Sequence, residues 1–144
     1  LSLHDALPIY QAGETEAAET FYLEAAKSKP IRPLVLETLG VMLRRRNFAG
    51  MEELIRTLPE SLQSDGRVRT YLALARLRAG DPEGAEAILR GDLVLTDVRE
   101  GDTLLTDIWF EIAALKQFGE VTEAGLAWAS EHVSVPEHLD FRML

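Results

Sequence analysis

Three groups of side chains in this 144-residue chain have the chemistry to form a site. The first is His132 and His138, each preceded by a glutamate, Glu131 and Glu137. Zinc held from a helix wants histidines at i and i+4 around a glutamate. Here Pro136 interrupts any helix between the two, so solvated or capping histidines are expected and a metal is the lesser reading. The second group is the acidic run Asp97, Glu100, Asp102 and Asp107. A calcium loop needs alternating oxygen ligands, a central glycine and a closing glutamate; the run lacks that order, so capping and solvation are expected of it. Asp107 and Glu111 are spaced i, i+4 and could serve one helix face as acid and base. The sequence supplies no nucleophile to go with them, no G-x-x-x-x-G-K and no G-x-S-x-G. A helix cap at Thr106 or Asp107 and a surface charge at Glu111 fit better. No catalytic residue, cofactor or metal is therefore assigned, and the chain is expected not to be an enzyme. The third group is a pair of arginines, Arg44 and Arg78, whose meaning depends on the elements that carry them.

Those elements repeat. "LRRRNFAGMEELIR" (43–56) aligns with "LRAGDPEGAEAILR" (77–90) without a gap, so that Leu43 meets Leu77, Asn47 meets Asp81, Gly50 meets Gly84, Met51 meets Ala85, Glu52 meets Glu86 and Ile55 meets Leu89. A further step back sets "GETEAAETFY" on "GDPEGAEAIL", with Gly13 on Gly80, Ala18 on Ala85 and Tyr22 on Leu89. Apolar residues recur at helical spacing, and prolines and glycines punctuate them. The pattern predicts helices over 14–28, 33–45, 48–58, 67–79, 83–90, 103–118 and 122–132. Gly80 ends one helix in the left-handed conformation; Asp81 caps the next, with Pro82 at its first position. Leu36, Leu39, Met42 and Leu43 form one predicted buried stripe, Tyr71, Leu74, Ala75 and Leu77 another, and Leu104, Ile108, Trp109, Ile112 and Leu115 a third. Residues 91–102 are expected to form a loop. The tail 133–144 is expected to be extended, with Leu139, Phe141 and Met143 folded back onto the last helices.

A period near 34 and these residues resemble the tetratricopeptide repeat, a helix–turn–helix unit. "GETEAAETFYLEAAKSKP" carries that family's turn glycine, its small Ala18 and Ala25, aromatic Tyr22 and closing Pro30. "LALARLRAGDPEGA" carries its Leu72–Ala73 pair, Gly80 and Ala85. Arg76 departs from the family's bulky aromatic; in the middle unit Arg46 replaces the turn glycine, and looser packing is expected in that unit. The resemblance implies an all-α stack of antiparallel helical hairpins, a solenoid, over 10–132. It would place Arg44 and Arg78 at equivalent points of successive first helices, on the concave face, where two guanidiniums could clamp a partner's carboxylate. The plainer reading is that both complement helix C-terminal dipoles. "LVLTDVREGDTLLTDIWFE" with "PEHLDFRM" also resembles the C-terminus of large bacterial tetratricopeptide-repeat proteins whose N-terminal part is a β-rich, galactose-mutarotase-like domain of unknown function; Leu144 is additional to that ending.

Composition narrows the classes. The chain is 47% hydrophobic and 27% charged, in the globular range, and its net charge of −9 disfavours a nucleic-acid partner. It has no cysteine, hence no disulfide or thiolate chemistry. No apolar run approaches the roughly 18 residues of a membrane span, and a cytoplasmic location is expected. Twelve arginines against three lysines suggest GC-rich coding and a bacterial source. Residues 1–9, "LSLHDALPI", lack the features of a signal or transit peptide and reverse-translate into the end of a common sequencing adapter. They are expected to be non-native, with the true chain continuing upstream, which would leave Phe21 and Tyr22 partly uncovered and prone to self-association. The expected function is a noncatalytic scaffold module that contacts proteins or another part of its own polypeptide. The alternative is the inactive tail of a carbohydrate-active or sugar-binding protein.

Overall fold

The structure, a computed structural model, describes residues 16–95 and 103–142. The adapter-like stretch, Gly13, Asp97, Glu100, Asp102, Met143 and Leu144 lie outside them. Among the described residues every regular element is helical: α1 (Glu16–Ser28), α2 (Arg32–Arg44), α3 (Phe48–Thr57), the single turn α4 (Glu60–Gln63), α5 (Gly66–Arg78), α6 (Pro82–Arg90), α7 (Leu104–Phe118), α8 (Glu123–His132) and a 3₁₀ turn (Glu137–Leu139). The one α-helix the periodicity does not announce is α4, a turn that Pro59 opens and Gln63 ties back by donating from Nε2 to the Leu58 carbonyl at 2.8 Å.

Helix α1 packs on α2, α3 on both α2 and α5, α6 on α5 and α7, and α8 on α7; α5 also touches α2 and α7 directly. Thus α2, α5 and α7 follow one another, and each has neighbours on more than one side. Their burial reflects it. Besides Leu39 and Met42, α2 buries Leu34, Val35, Thr38, Gly40 and Val41, while Leu36 and Leu43 are only half-buried. Helix α5 buries Val68, Thr70, Ala73, Ala75 and Leu77, and its predicted stripe members Tyr71 and Leu74 are half-buried. A single-stripe reading fails for these helices because they are walled on several faces. The buried hydroxyls are absorbed locally: Thr38 donates to the Leu34 carbonyl (2.8 Å) and Thr70 to that of Gly66 (2.8 Å).

The two aligned segments fold into the same turn. After α2, Arg46 N–H donates to Leu43 O and Asn47 N–H to Met42 O, at 3.0 and 2.9 Å; after α5, Gly80 N–H donates to Leu77 O and Asp81 N–H to Arg76 O, at 3.1 and 2.9 Å. Both are Schellman closures, which satisfy the last carbonyls of a helix and require a left-handed residue. Gly80 supplies it at φ 89°, and Arg46 adopts it at φ 60°. The backbone therefore keeps the repeat geometry at Arg46 and carries a side-chain penalty there, offset by stacking of the guanidinium over the Phe48 ring at 5.1 Å. The caps match as well: Asn47 Oδ1 accepts from Gly50 N–H and Asp81 Oδ1 from Gly84 N–H, both at 3.0 Å. Glycine recurs at that third helical position because a Cβ on Gly50 would meet Asn47 Nδ2 at 2.5 Å and one on Gly84 would collide with Asp81.

Small residues fall where helices approach: Ala18 and Ala85 are buried, and so is Met51 between them in the alignment. Tyr22 is 1% exposed, which corrects the expectation that it is uncovered; Phe21 is half-buried against its ring edge. At the other end Leu139 is fully buried, Phe141 packs on the same core, and the Trp109 indole N–H donates to Ser134 O at 3.1 Å. Residues 133–142 thus run from the end of α8 to the end of α6, where His138 Nε2 donates to the Leu89 carbonyl at 2.8 Å.

Arg46 gives a direct check of the turn. Glycine relieves about 1 kcal/mol of left-handed strain that alanine retains. Urea unfolding is expected to show Arg46→Gly more stable than Arg46→Ala by about 1 kcal/mol, with Gly80→Ala less stable than the parent by a similar amount. Equal stability of the two Arg46 variants would remove the turn as the repeated element.

Candidate functional site

Arg44 and Arg78 occupy the last turns of α2 and α5 and are exposed. Arg78 is engaged within the chain. Its Nη1 and Nη2 donate to the two oxygens of Glu111 on α7, the Nη2–Oε1 separation being 3.4 Å. Glu111 is therefore a half-buried bridge rather than the surface charge expected of it. The guanidinium of Arg44 folds over Gly40, its Nη2 lying 3.7 Å from where a Cβ would stand, and the Tyr71 hydroxyl lies 3.4 Å from the same point. A cavity of about 320 Å³ brings Arg78 together with Arg46 rather than Arg44; Leu77, Gly80, Glu111, Leu115 and Val121 complete it.

The other candidates resolve into structural roles. Thr103, not Thr106 or Asp107, precedes α7 as its cap residue, and its hydroxyl donates to Asp107 Oδ2 at 3.1 Å. Thr106 sits inside the first turn, buried, and its hydroxyl has no partner among the described residues. Asp107 and Glu111 are thus each held by a different neighbour. His132 donates from Nδ1 to the Trp128 carbonyl (2.9 Å), and His138 is taken by Leu89. Among the described residues no group of histidines and carboxylates is gathered for a metal.

Sequence reasoning misses a recurrent acid. Glu19, Glu52 and Glu86 are equivalent in the alignment, and each reaches a cation in the last turn or cap of the next long helix. Glu19 Oε2 accepts from Arg45 Nε at 2.8 Å, Glu52 Oε1 from Arg76 Nε at 3.1 Å, and Glu86 Oε1 from Lys116 Nζ at 3.2 Å. The signal lay in the Glu52–Glu86 match, but the cations sit at shifting distances from the turn, so the pairing has no fixed sequence offset. Arg76, which breaks the expected aromatic consensus, is one of these cations. A fourth link joins the starts of α2 and α5: Arg32 Nε donates to Asp65 Oδ2 at 2.7 Å, and Asp65 caps α5 by accepting from the N–H groups of Arg67 and Val68.

Sequence reasoning also misses a cleft. The chain has two tryptophans, and both line one cavity of about 440 Å³ between α6, α7 and α8. Glu86 and Arg90 line it from α6, Trp109, Ile112, Ala113, Lys116 and Gln117 from α7, and Trp128, Val133 and Ser134 from α8 and the segment after it. The Arg90 guanidinium lies 4.8 Å from the Trp109 ring centroid. Trp128 is stacked on His132 (5.2 Å) and meets Phe118 edge-on (5.3 Å). Glu86 is shared by Arg90 (3.4 Å) and Lys116 (3.2 Å), so the cleft carries two cations for one acid in a chain of net charge −9.

Compared with family models, with curated proteins and with solved structures, the chain matches none.

Asp65 links this network to pH. Burial pushes its carboxyl upward, but the hydrogen bond and charge of Arg32 and the two backbone N–H donors outweigh that, and its pKa is held below the ordinary carboxylate value. A depressed folded-state pKa adds stability that is present above the unfolded value, near ~3.9, and is lost as pH falls through the folded one. Asp65→Ala is expected to destabilise the chain by about 1–2 kcal/mol at pH 7. Part of the gap from the parent should close below pH 3. A gap of constant size across that range contradicts the charge-assisted link.

Proposed function

We propose that the chain is a noncatalytic helical-repeat module of the tetratricopeptide kind, whose work is to hold a protein partner, or another part of its own polypeptide, against a row of stacked hairpins. The observation that carries this reading is the recurrence, 34 residues apart, of one complete device in the turns after α2 and α5: the Schellman closure, the side-chain cap and the glycine at the third helical position. Stacked repeats present long continuous surfaces while each unit contacts its neighbours, and the serial contacts of α2, α5 and α7 fit that plan. In this reading Arg44 and Arg78 stand on the face formed by those three helices. Arg78 is pre-oriented by Glu111, so a partner's carboxylate can compete for its guanidinium. A bacterial, cytoplasmic setting and a large parent protein remain part of the same proposal.

The test uses the immobilised chain, its Arg44→Glu/Arg78→Glu variant and a bacterial lysate. Proteins retained by the parent and at least tenfold depleted on the variant support the module. Retention no greater than on an unrelated acidic helical protein, together with binding to a glycan array, overturns it in favour of a sugar-facing role.

A further inference from the structure

Building on the interaction-module reading, we propose that the tryptophan cleft between α6 and α8 is a binding site for an extended acidic peptide, with an apolar side chain of that peptide against the half-buried Trp128, beside the buried Trp109, and a carboxylate on Arg90 and Lys116. Four observations converge on it.

The first is shape. The cleft is of ligand size but open to solvent. A small molecule binds well where most of its surface is enclosed; an open trough suits a chain that passes across it. The second is precedent within the molecule. The same end of the fold already takes up a chain segment: residues 133–142 leave α8 as irregular backbone broken by the 3₁₀ turn, receive a hydrogen bond on Ser134 O from Trp109 Nε1 and bury Leu139 in the core that holds Leu89. Val133 and Ser134 line the open part, so a second segment would lie along a surface that already holds a first.

The third is preorganisation. Trp109 is fixed by its indole N–H and by Arg90 over its face, and Trp128 is held between His132 and Phe118. Rigid aromatic walls lose little entropy on binding. The fourth is charge. Two cations share Glu86, whose carboxylate balances one of them, so an entering carboxylate finds a local positive excess. That excess runs against the sign of the whole chain, which makes it a local feature rather than an average of the surface.

Neither Arg44 nor Arg78 lines the cleft, and it shares no lining residue with the cavity at Arg78, so it can be tested independently of them. Because the chain's two tryptophans are both in the cleft, intrinsic emission reports occupancy without a label. The probes are acetyl-Asp-Leu-Phe-Asp-Glu-amide and its charge-reversed counterpart acetyl-Lys-Leu-Phe-Lys-Lys-amide, neither of which contains tryptophan. The acidic peptide is expected to change the emission saturably and the basic one not to. Arg90→Gln is expected to weaken the acidic peptide about tenfold, and Ala113→Leu, which intrudes from α7, by at least as much. Glu86→Gln, which frees both cations, is expected to tighten it severalfold, an effect that loss of fold cannot imitate. Equal affinity for the two peptides, no binding at millimolar concentration, or a Glu86→Gln variant no tighter than the parent overturns the assignment. Failure here leaves the module reading to the Arg44 and Arg78 experiment, which reads a different face.

Discussion

Helix α5 is the wall that two hydrophobic cores share. Val68 and Ala75 belong to the core built with α1, α2 and α3, whereas Ala73 and Leu77 belong to the one built with α6, α7, α8 and the tail; Leu72 lies against both. A helix that must serve two cores cannot keep a single greasy stripe, and it cannot be bulky where both neighbours press on it. That explains why Ala73 and Ala75 are wholly buried and why the bulkier Tyr71 and Leu74 are displaced to half-buried flanks. It also explains the placement of Asp65. The helix that both cores share is capped by a carboxylate that is itself tied to the start of α2.

How far the sequence speaks follows from how local each feature is. Helix bounds are readable to within two residues because their causes are local: Pro82 after the Asp81 cap, Gly119 in the left-handed region at φ 76°, Thr122 accepting from Gly125 N–H. The alignment at an offset of 34 likewise pairs the two turns that share their hydrogen bonds. What the sequence hid is non-local. Glu111 reads as a surface charge until α7 is laid beside α5 and Arg78 reaches it. Trp109 reads as one member of a buried stripe, and only the fold sets Trp128 beside it in the lining of one cavity. Missing neighbours predict a partly uncovered Tyr22, yet α2 meets it: the Thr38 hydroxyl, bonded to the Leu34 carbonyl, also lies 3.2 Å from the Tyr22 carbonyl, and the ring is buried.

The bridging carboxylates illustrate a division of labour. Exposed ion pairs contribute at most about 1 kcal/mol each, and Arg76, Arg78 and Lys116 are all more than a third exposed along their side chains. They do not hold the helices together; the buried aliphatic contacts do that. Their value is in register. An acid that meets a cation near the end of the next long helix penalises a slipped neighbour, and it does so at three successive junctions. The same charges set the chemistry of the surface, since Glu86 orders Arg90 and Lys116 at the rim of the cleft while Glu111 orients Arg78.

Coupling between the two cores through α5 can be read from one equilibrium experiment. Both tryptophans report the core of α6, α7 and α8, and Leu39 lies wholly buried in the other core. Leu39→Ala removes about 2–5 kcal/mol of packing there. Urea unfolding followed by tryptophan emission should shift to a lower midpoint together with the helical circular dichroism signal, in one transition. An emission midpoint that stays at the parent value while the circular dichroism splits into two steps would show two independent bodies and contradict a shared wall.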